Sequence, residues 1–180
     1  MRLTSKLQSI RRQDGFTLTE LMIVVVIIAV LATVAVPAFT SVMYRARSGE
    51  AYTFLGTIKN RQEAYRAEFG QYCAVSGAVA FGMWTPRTTP DESPEPWTMV
   101  DANWSQLGAR PDGAVRCVYS TLAGPPTTRP PGASGTGYDG SDFWFVSQAR
   151  CDLNGDGQPI TYEGYSAASN IWASEARGWD

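Results

Sequence analysis

Histidine is absent from all 180 residues. Without it there is no Ser-His or Cys-His nucleophile pair and no His-ligated metal site. Cysteine is scarce: Cys73, Cys117 and Cys151 are the only three. None forms a C-x-x-C pair, so zinc and redox motifs of that kind are missing. Three cysteines allow one disulfide, in any of three pairings, with one thiol left over. A bridge is chemically reasonable if this part of the chain lies outside the cytoplasm; buried thiols are the other reading. There is no phosphate-binding glycine loop, dinucleotide fingerprint or G-x-S-x-G elbow. No pair of carboxylates has a spacing that singles out an acid–base couple. These absences argue against an enzyme.

Net charge is also small. Fifteen basic residues stand against 17 acidic ones. Their distribution says more than their sum. Arg2, Lys6, Arg11 and Arg12 against Asp14 give the first 15 residues an excess of three positive charges, which leaves about −5 for the rest. A basic head before an apolar run marks a segment held on the cytoplasmic side of a membrane. The acidic remainder lacks the basic stripe that nucleic-acid binding requires, so no nucleic-acid partner is expected. The length suits one domain with appendages.

Only one long apolar run exists. Leu21 to Val36 is interrupted only by Thr33, and the stretch from Phe16 to Phe39 is long enough to cross a bilayer core of about 30 Å as a helix. Its valines and isoleucines suit a strand in water, but in lipid the backbone must satisfy itself, which selects the helix. Glu20 is the anomaly, because a carboxylate near a membrane helix is costly unless it snorkels or is paired. A secretory signal would end in a small-residue cleavage site, whereas this run ends in VPAF. A plain anchor explains the length and leaves Glu20 unexplained.

Gly15-Phe16-Thr17-Leu18-Thr19-Glu20, a short hydrophilic leader before it and an unbroken apolar stretch after it resemble the signal of type IV prepilins and of the related type II secretion pseudopilins. The likeness is close from about residue 10 to 40 and general to about residue 70. Thr19 departs from it, since an aliphatic residue commonly precedes the glutamate. The resemblance implies cleavage after Gly15 by a prepilin peptidase on the cytoplasmic face, with the apolar run retained and Phe16 N-methylated. It also implies assembly roles for Glu20 and for Pro37, which stands where the family often has a kinking proline. Cleavage would create an amine at Phe16. In a bundle of such helices, Glu20 of one subunit could face the amine of its neighbour, which makes a buried charge tolerable and fixes axial register. The alternative for Glu20 is a helix-start carboxylate favoured by the macrodipole.

Beyond the run, Ala51, Phe54, Leu55, Ile58, Tyr65 and Phe69 recur at helical spacing. Arg45, Arg47, Glu50, Lys59, Arg61 and Glu63 supply the polar face. Gly49 and Gly56 weaken this helix without ending it. One helix is therefore expected from about Thr17 to Glu68, roughly 75–80 Å long. Gly70 stops it, and TPRTTPDESPEPW reads as loop. Residues 101–107, DANWSQL, fit a short helix capped by Asp101. Strands are expected at 114–122, with Val115, Cys117 and Tyr119 on one face, at 142–150, and more weakly at 159–166 after Pro159. The stretch 142–150 should have one covered and one exposed face. The segment from 124 to 141 is a proline- and glycine-rich loop, and the last 14 residues carry no clear assignment. The tryptophans read as core and loop packing.

The fold expected is α+β: a long N-terminal helix laid on a small antiparallel sheet, the pilin fold. The parts are a leader at 1–15, a membrane and assembly half of the helix at 16–40, an amphipathic half at 41–69, and a head at 70–180. DLNGDGQPITYE, residues 152–163, fits the calcium-loop spacing D-x-N-x-D-G-x5-E. Asp152, Asn154, Asp156 and Glu163 would offer side-chain oxygens, Gln158 a backbone carbonyl, and Gly157 the sharp turn. Strand-like flanks and Pro159 weigh against an EF-hand, and a plain Asp-Gly turn is the other reading. Asn103-Trp104-Ser105 matches the glycosylation triplet, which arises often by chance.

Expected partners are the prepilin peptidase, other pilin subunits, the inner membrane and a pilus or secretion assembly platform. Expected location is the bacterial inner membrane, single-pass with the head periplasmic, and then the filament. The leading reading is a structural subunit of a type IV pilus-like filament. A type II secretion pseudopilin is the same-class alternative. A membrane-tethered binding module or enzyme, using the signal only as an anchor, is the alternative of another class.

Overall fold

The computed structural model describes residues 15–77, 80–98, 102–131, 138 and 140–174. The leader residues 1–14, the cap expected at Asp101, part of the glycine-rich loop and residues 175–180 lie outside the described residues. The chain divides into two compact units, one reaching to Thr40 and one beginning at Ser41.

Helix α1, Leu18–Phe69, contributes to both. In the first unit every described residue up to Thr40 is exposed, although nearly all are apolar. The mean hydropathy of the most apolar stretch reaches 3.0, and this helix is long and apolar enough to cross a membrane. A helix bonds its peptide groups to one another, which is the arrangement hydrocarbon requires. Pro37 lies inside α1 and does not end it. It lacks an N–H, and the nearby hydroxyls turn back onto the helix: Thr33 donates to the Val30 carbonyl at 2.7 Å and Thr40 to that of Pro37 at 2.9 Å.

In the second unit α1 buries one stripe: Ser48, Ala51, Phe54, Leu55, Ile58 and Gln62. The three- and four-residue steps are those of one helix face. The stripe meets a four-stranded antiparallel meander of β1 (Val118–Gly124), β2 (Trp144–Cys151), β3 (Ile160–Tyr165) and β4 (Ile171–Ala173), in that order. Tyr119 pairs with Ala149 and Ala149 with Tyr162, and this row joins the helix stripe in one core cluster. Trp97 and Trp104 complete it, with Phe54 4.7 Å from Tyr119 and 5.2 Å from Trp97 between ring centres. The tryptophans here are core, as the sequence suggested.

Several expectations are corrected. Phe69 is 54% exposed, because the last turn of α1 has only Tyr65 to pack on. The first strand starts at Val118; Val115 instead forms an isolated bridge with Glu95, although Val115, Cys117 and Tyr119 do share the core. The second strand is covered on both faces over its first half, while Gln148 is half-buried and Arg150 exposed as expected. On the side away from the core row, Leu122, Trp144, Val146 and Tyr165 cluster under Phe81, Tyr138 and Ala168, which loops deliver. Loop segments also cover the outer edge of β1. Ser76 donates its N–H to Thr121 at 2.8 Å and Thr85 exchanges bonds with Tyr119, so the edge offers no open ladder. Helix α2, Ala102–Leu107, forms where expected. The amide of Asn103 donates to the Val75 carbonyl at 3.0 Å, which ties down the nitrogen a glycan would need. Strand β4 comes from the segment without an assignment.

Of the three disulfide pairings the structure forms Cys117–Cys151, joining the residue before β1 to the end of β2. Cys73 is buried and takes no part in the bridge. The link closes a loop of 34 residues, for which chain entropy alone stabilises the fold by about 3–4 kcal/mol. The double variant Cys117→Ser/Cys151→Ser should therefore lose about 2–4 kcal/mol in denaturant unfolding of the detergent-solubilised chain. An unchanged midpoint would show that the bridge is dispensable.

Candidate functional site

The N-terminal residues come first. Thr17 precedes α1 and Glu20 is in its first turn. The Thr17 N–H donates to Glu20 Oε2 at 2.9 Å, and the Thr17 hydroxyl donates to the same oxygen at 2.7 Å. The Glu20 N–H returns a bond to the Thr17 hydroxyl at 3.2 Å. This is a capping box, T-x-x-E, which satisfies two of the orphan donors of a helix start. Sequence reasoning on the macrodipole missed it, though the T-L-T-E spacing was there to be read. The box holds the carboxylate at the mouth of the apolar segment. Only Oε2 is used; Oε1 accepts no bond among the described residues. Gly15 and Phe16 are exposed just ahead of it. An amine created at Phe16 would thus lie one residue before the cap, in a segment whose only acid is Glu20.

In the head, two polar side chains of α1 act as clamps. Glu50 was expected on the solvent face. It turns instead toward the start of β1, where its Oε1 accepts from the N–H groups of Arg116 and Cys117 at 2.8 and 3.1 Å and from the Tyr119 hydroxyl at 3.3 Å. Burial, and then the Glu50 carboxylate, push the Tyr119 phenol well above its ordinary range. Gln62 is fully buried and pairs both ways with the backbone of Cys73, donating at 2.7 Å and accepting at 2.8 Å. Neither clamp shows in a hydrophobic pattern, because the pattern counts only apolar positions.

The acidic turn between β2 and β3 ties itself together. Asp152 is buried, and its two oxygens accept from Gly155 and Gly157 at 2.8 and 2.9 Å. Asp156 accepts from the Gln158 N–H at 2.7 Å, and the Asn154 amide donates to Asp156 at 2.9 Å. Gly155 and Gly157 both have positive φ, the region that favours glycine. Glu163 does not join them. It lies on β3, fully buried, and binds Gln148 at 2.5 Å and the Tyr165 hydroxyl. The structure thus brings Asp152, Asn154, Asp156 and Gln158 into one turn and places Glu163 apart. Among the described residues no three Asp, Glu, Cys or His side chains form a group able to hold a metal ion. Calcium on the expected ligands would require Glu163 to leave Gln148 and Tyr165. A residue the motif did not foresee lies closer: a Cβ on Gly155 would sit 3.5 Å from the carboxyl carbon of Glu92. Arg47 of α1 supports the same turn, donating to the Leu153 carbonyl at 3.1 Å.

Comparison with known proteins bears on the first of these regions. Residues 10–36 match the prokaryotic N-terminal methylation motif. The chain is 39% identical over 70 residues to the type IV major pilin protein PilA of Myxococcus xanthus, which is 39% of this chain and 32% of that one. It is 38% identical over 88 residues to a fimbrial protein of Moraxella nonliquefaciens, covering 46% and 57% of the two chains. It is 30% identical over 81 residues to type II secretion system core protein G of Dickeya chrysanthemi, covering 45% and 53%. The chain thus spans between about a third and a little over half the length of these curated relatives. No solved structure matches.

The acidic turn yields a direct test. Asp152→Ala removes two buried acceptors that hold the turn and should lower the stability of the head by about 1–3 kcal/mol in denaturant unfolding. A change below about 0.5 kcal/mol, the range of an ordinary surface substitution, would show that the turn does not depend on this carboxylate.

Proposed function

We propose that the chain, whose N-terminal segment is that of the type IV pilin and pseudopilin family, is a structural subunit of a type IV pilus-like filament. One observation carries the reading. Gly15-Phe16 and Glu20 open a helix whose apolar side chains are all exposed up to Phe39, so this surface must be covered by lipid or by other copies of the same helix.

The steps follow from the residues. The basic leader and the apolar run insert the chain in the inner membrane with the head outside the cytoplasm. A prepilin peptidase cuts after Gly15, and Phe16 becomes the methylated N-terminus. Glu20, fixed by Thr17, meets the Phe16 amine of a neighbouring subunit as the helix leaves lipid for the filament. A carboxylate with that partner is tolerated in an apolar bundle, whereas one without it is strongly disfavoured. The head, locked by its disulfide and by the Glu50 and Gln62 clamps, forms the outer surface. The disulfide supports an oxidising location for it. The family is a structural one, and a chain without histidine or a catalytic motif fits it.

A second reading has its own support. Similarity to type II secretion system core protein G favours a pseudopilin, built by the same steps but serving secretion.

Processing is the test. The full chain is co-expressed with a prepilin peptidase, as wild type and as Gly15→Ala, and the mature N-terminus is read by mass spectrometry. Methylated Phe16 is expected in wild type alone. An uncut wild-type chain, or one cut after Ala35 or Ala38, would overturn the proposal.

A further inference from the structure

The head carries two charged poles of opposite sign at different levels along α1. The basic pole flanks a groove of about 420 Å³ between α1 and the segment that leads into β1. Thr53, Thr57 and Arg61 form one wall, Arg110 and Asp112 the other, and Phe54 the floor. The threonine hydroxyls are already bonded to their own helix, Thr53 to the Gly49 carbonyl at 2.8 Å and Thr57 to that of Thr53 at 3.0 Å. Glu50 reaches the groove too, but its charge is balanced by Arg116 at 3.9 Å. That leaves Arg61 and Arg110 against Asp112. Both arginines are exposed, and neither forms an ion pair among the described residues.

The acidic pole is made of Asp91 and Glu92 from the proline-rich loop and Asp156 from the turn between β2 and β3. All three are exposed and none forms an ion pair among the described residues; the Arg87 guanidinium, which donates to the Asp91 and Ser93 carbonyls, is paired with Glu95 at 3.6 Å. Glu92 rests against Gly155, which joins the loop to the turn. Arg47 bonds Leu153, which fixes the turn at the level of Arg47 on α1. Arg61 lies fourteen residues further along, about 21 Å at 1.5 Å per residue, at the far end of a groove that begins beside Gly49 and Glu50.

From this separation we propose that the groove flanked by Arg61 and Arg110 receives the Asp91–Glu92 loop of a second copy of this chain, displaced along the helix axis. The two surfaces are different patches of one molecule, so the contact is heterologous. Because each copy is also displaced along the axis, the contact cannot close into a ring; it leaves a free groove at one end and a free loop at the other and repeats. Like poles brought level repel, and poles shifted along the axis attract, so the charges select a staggered arrangement and reject a level one. The inference rests on the filament reading and deepens it, because it names which part of the head meets which.

The test uses the full chain in cells that assemble it. Arg61→Glu/Arg110→Glu should cut the yield of sheared filament by at least about tenfold, since like charges then face each other across the contact. Adding Asp91→Lys/Glu92→Lys to the same chain should restore the yield to within about threefold of wild type, because the pairing returns with reversed sign. Loss without restoration, or no loss, would overturn the proposal while leaving the filament reading intact. Wild-type cells that make no filament would overturn both. Should the reversed chain fail to accumulate, a cross-link decides. Thr57→Cys in one copy and Asp91→Cys in another should give an oxidised dimer only when both are co-expressed. No dimer, or an adduct only with a different subunit, would overturn the pairing.

Discussion

In hydrocarbon a peptide group has no partner but another peptide group. That constraint decides the shape of α1 before any side chain does. A run so rich in valine and isoleucine would be a natural strand in water. Here it is a helix, and the helix continues past Pro37 to Phe69. The same element therefore serves two environments. Up to Thr40 it exposes apolar side chains on all sides; from Ser48 it buries a single stripe against the sheet.

The head depends on that stripe, and polar contacts set its register. Ala51, Phe54, Leu55 and Ile58 provide apolar area, which is non-directional. Glu50 and Gln62 provide direction. Glu50 gathers the backbone at the entry to β1, next to the cysteine that bridges to the end of β2. Gln62 holds the chain at Cys73 as it leaves the helix. A buried amide such as Gln62 that loses its partners costs about 1–3 kcal/mol, and without the half-buried Glu50 the N–H groups of Arg116 and Cys117 would lose their acceptor. The loops are equally structural. They roof the outer face of the sheet and occupy the edge of β1, which would otherwise be an open ladder.

The regular elements were legible in the sequence because periodicity reports them. The helix was read to within a residue at each end, and α2, β2 and β3 fell close to their expected places. What escaped has a common cause. Glu50, Gln62 and the Thr17–Glu20 box are polar residues whose partners lie on the backbone, and hydrophobic spacing does not register them. The roofed face of β2 is supplied by Phe81, Tyr138 and Ala168, from segments with no period at all. Choosing among three disulfide pairings needs the register of β1 on β2. The acidic turn was visible as a motif, yet its last residue, Glu163, is drawn into the sheet by its pairing with Gln148.

Glu20 is where fold and function meet, and two roles compete for its carboxylate. One is local, the capping box with Thr17. The other, which belongs to the proposed filament, is pairing with a neighbour's Phe16 amine. Glu20→Gln separates them, because an amide side chain can still close the box but carries no charge. The measurement is the filament yield of that variant, with cleavage and membrane level checked to be normal. If the charge guides assembly, the yield falls at least about tenfold, as expected when a buried pair loses one partner. Filaments at the wild-type level from Glu20→Gln would contradict the account and reduce Glu20 to a helix cap.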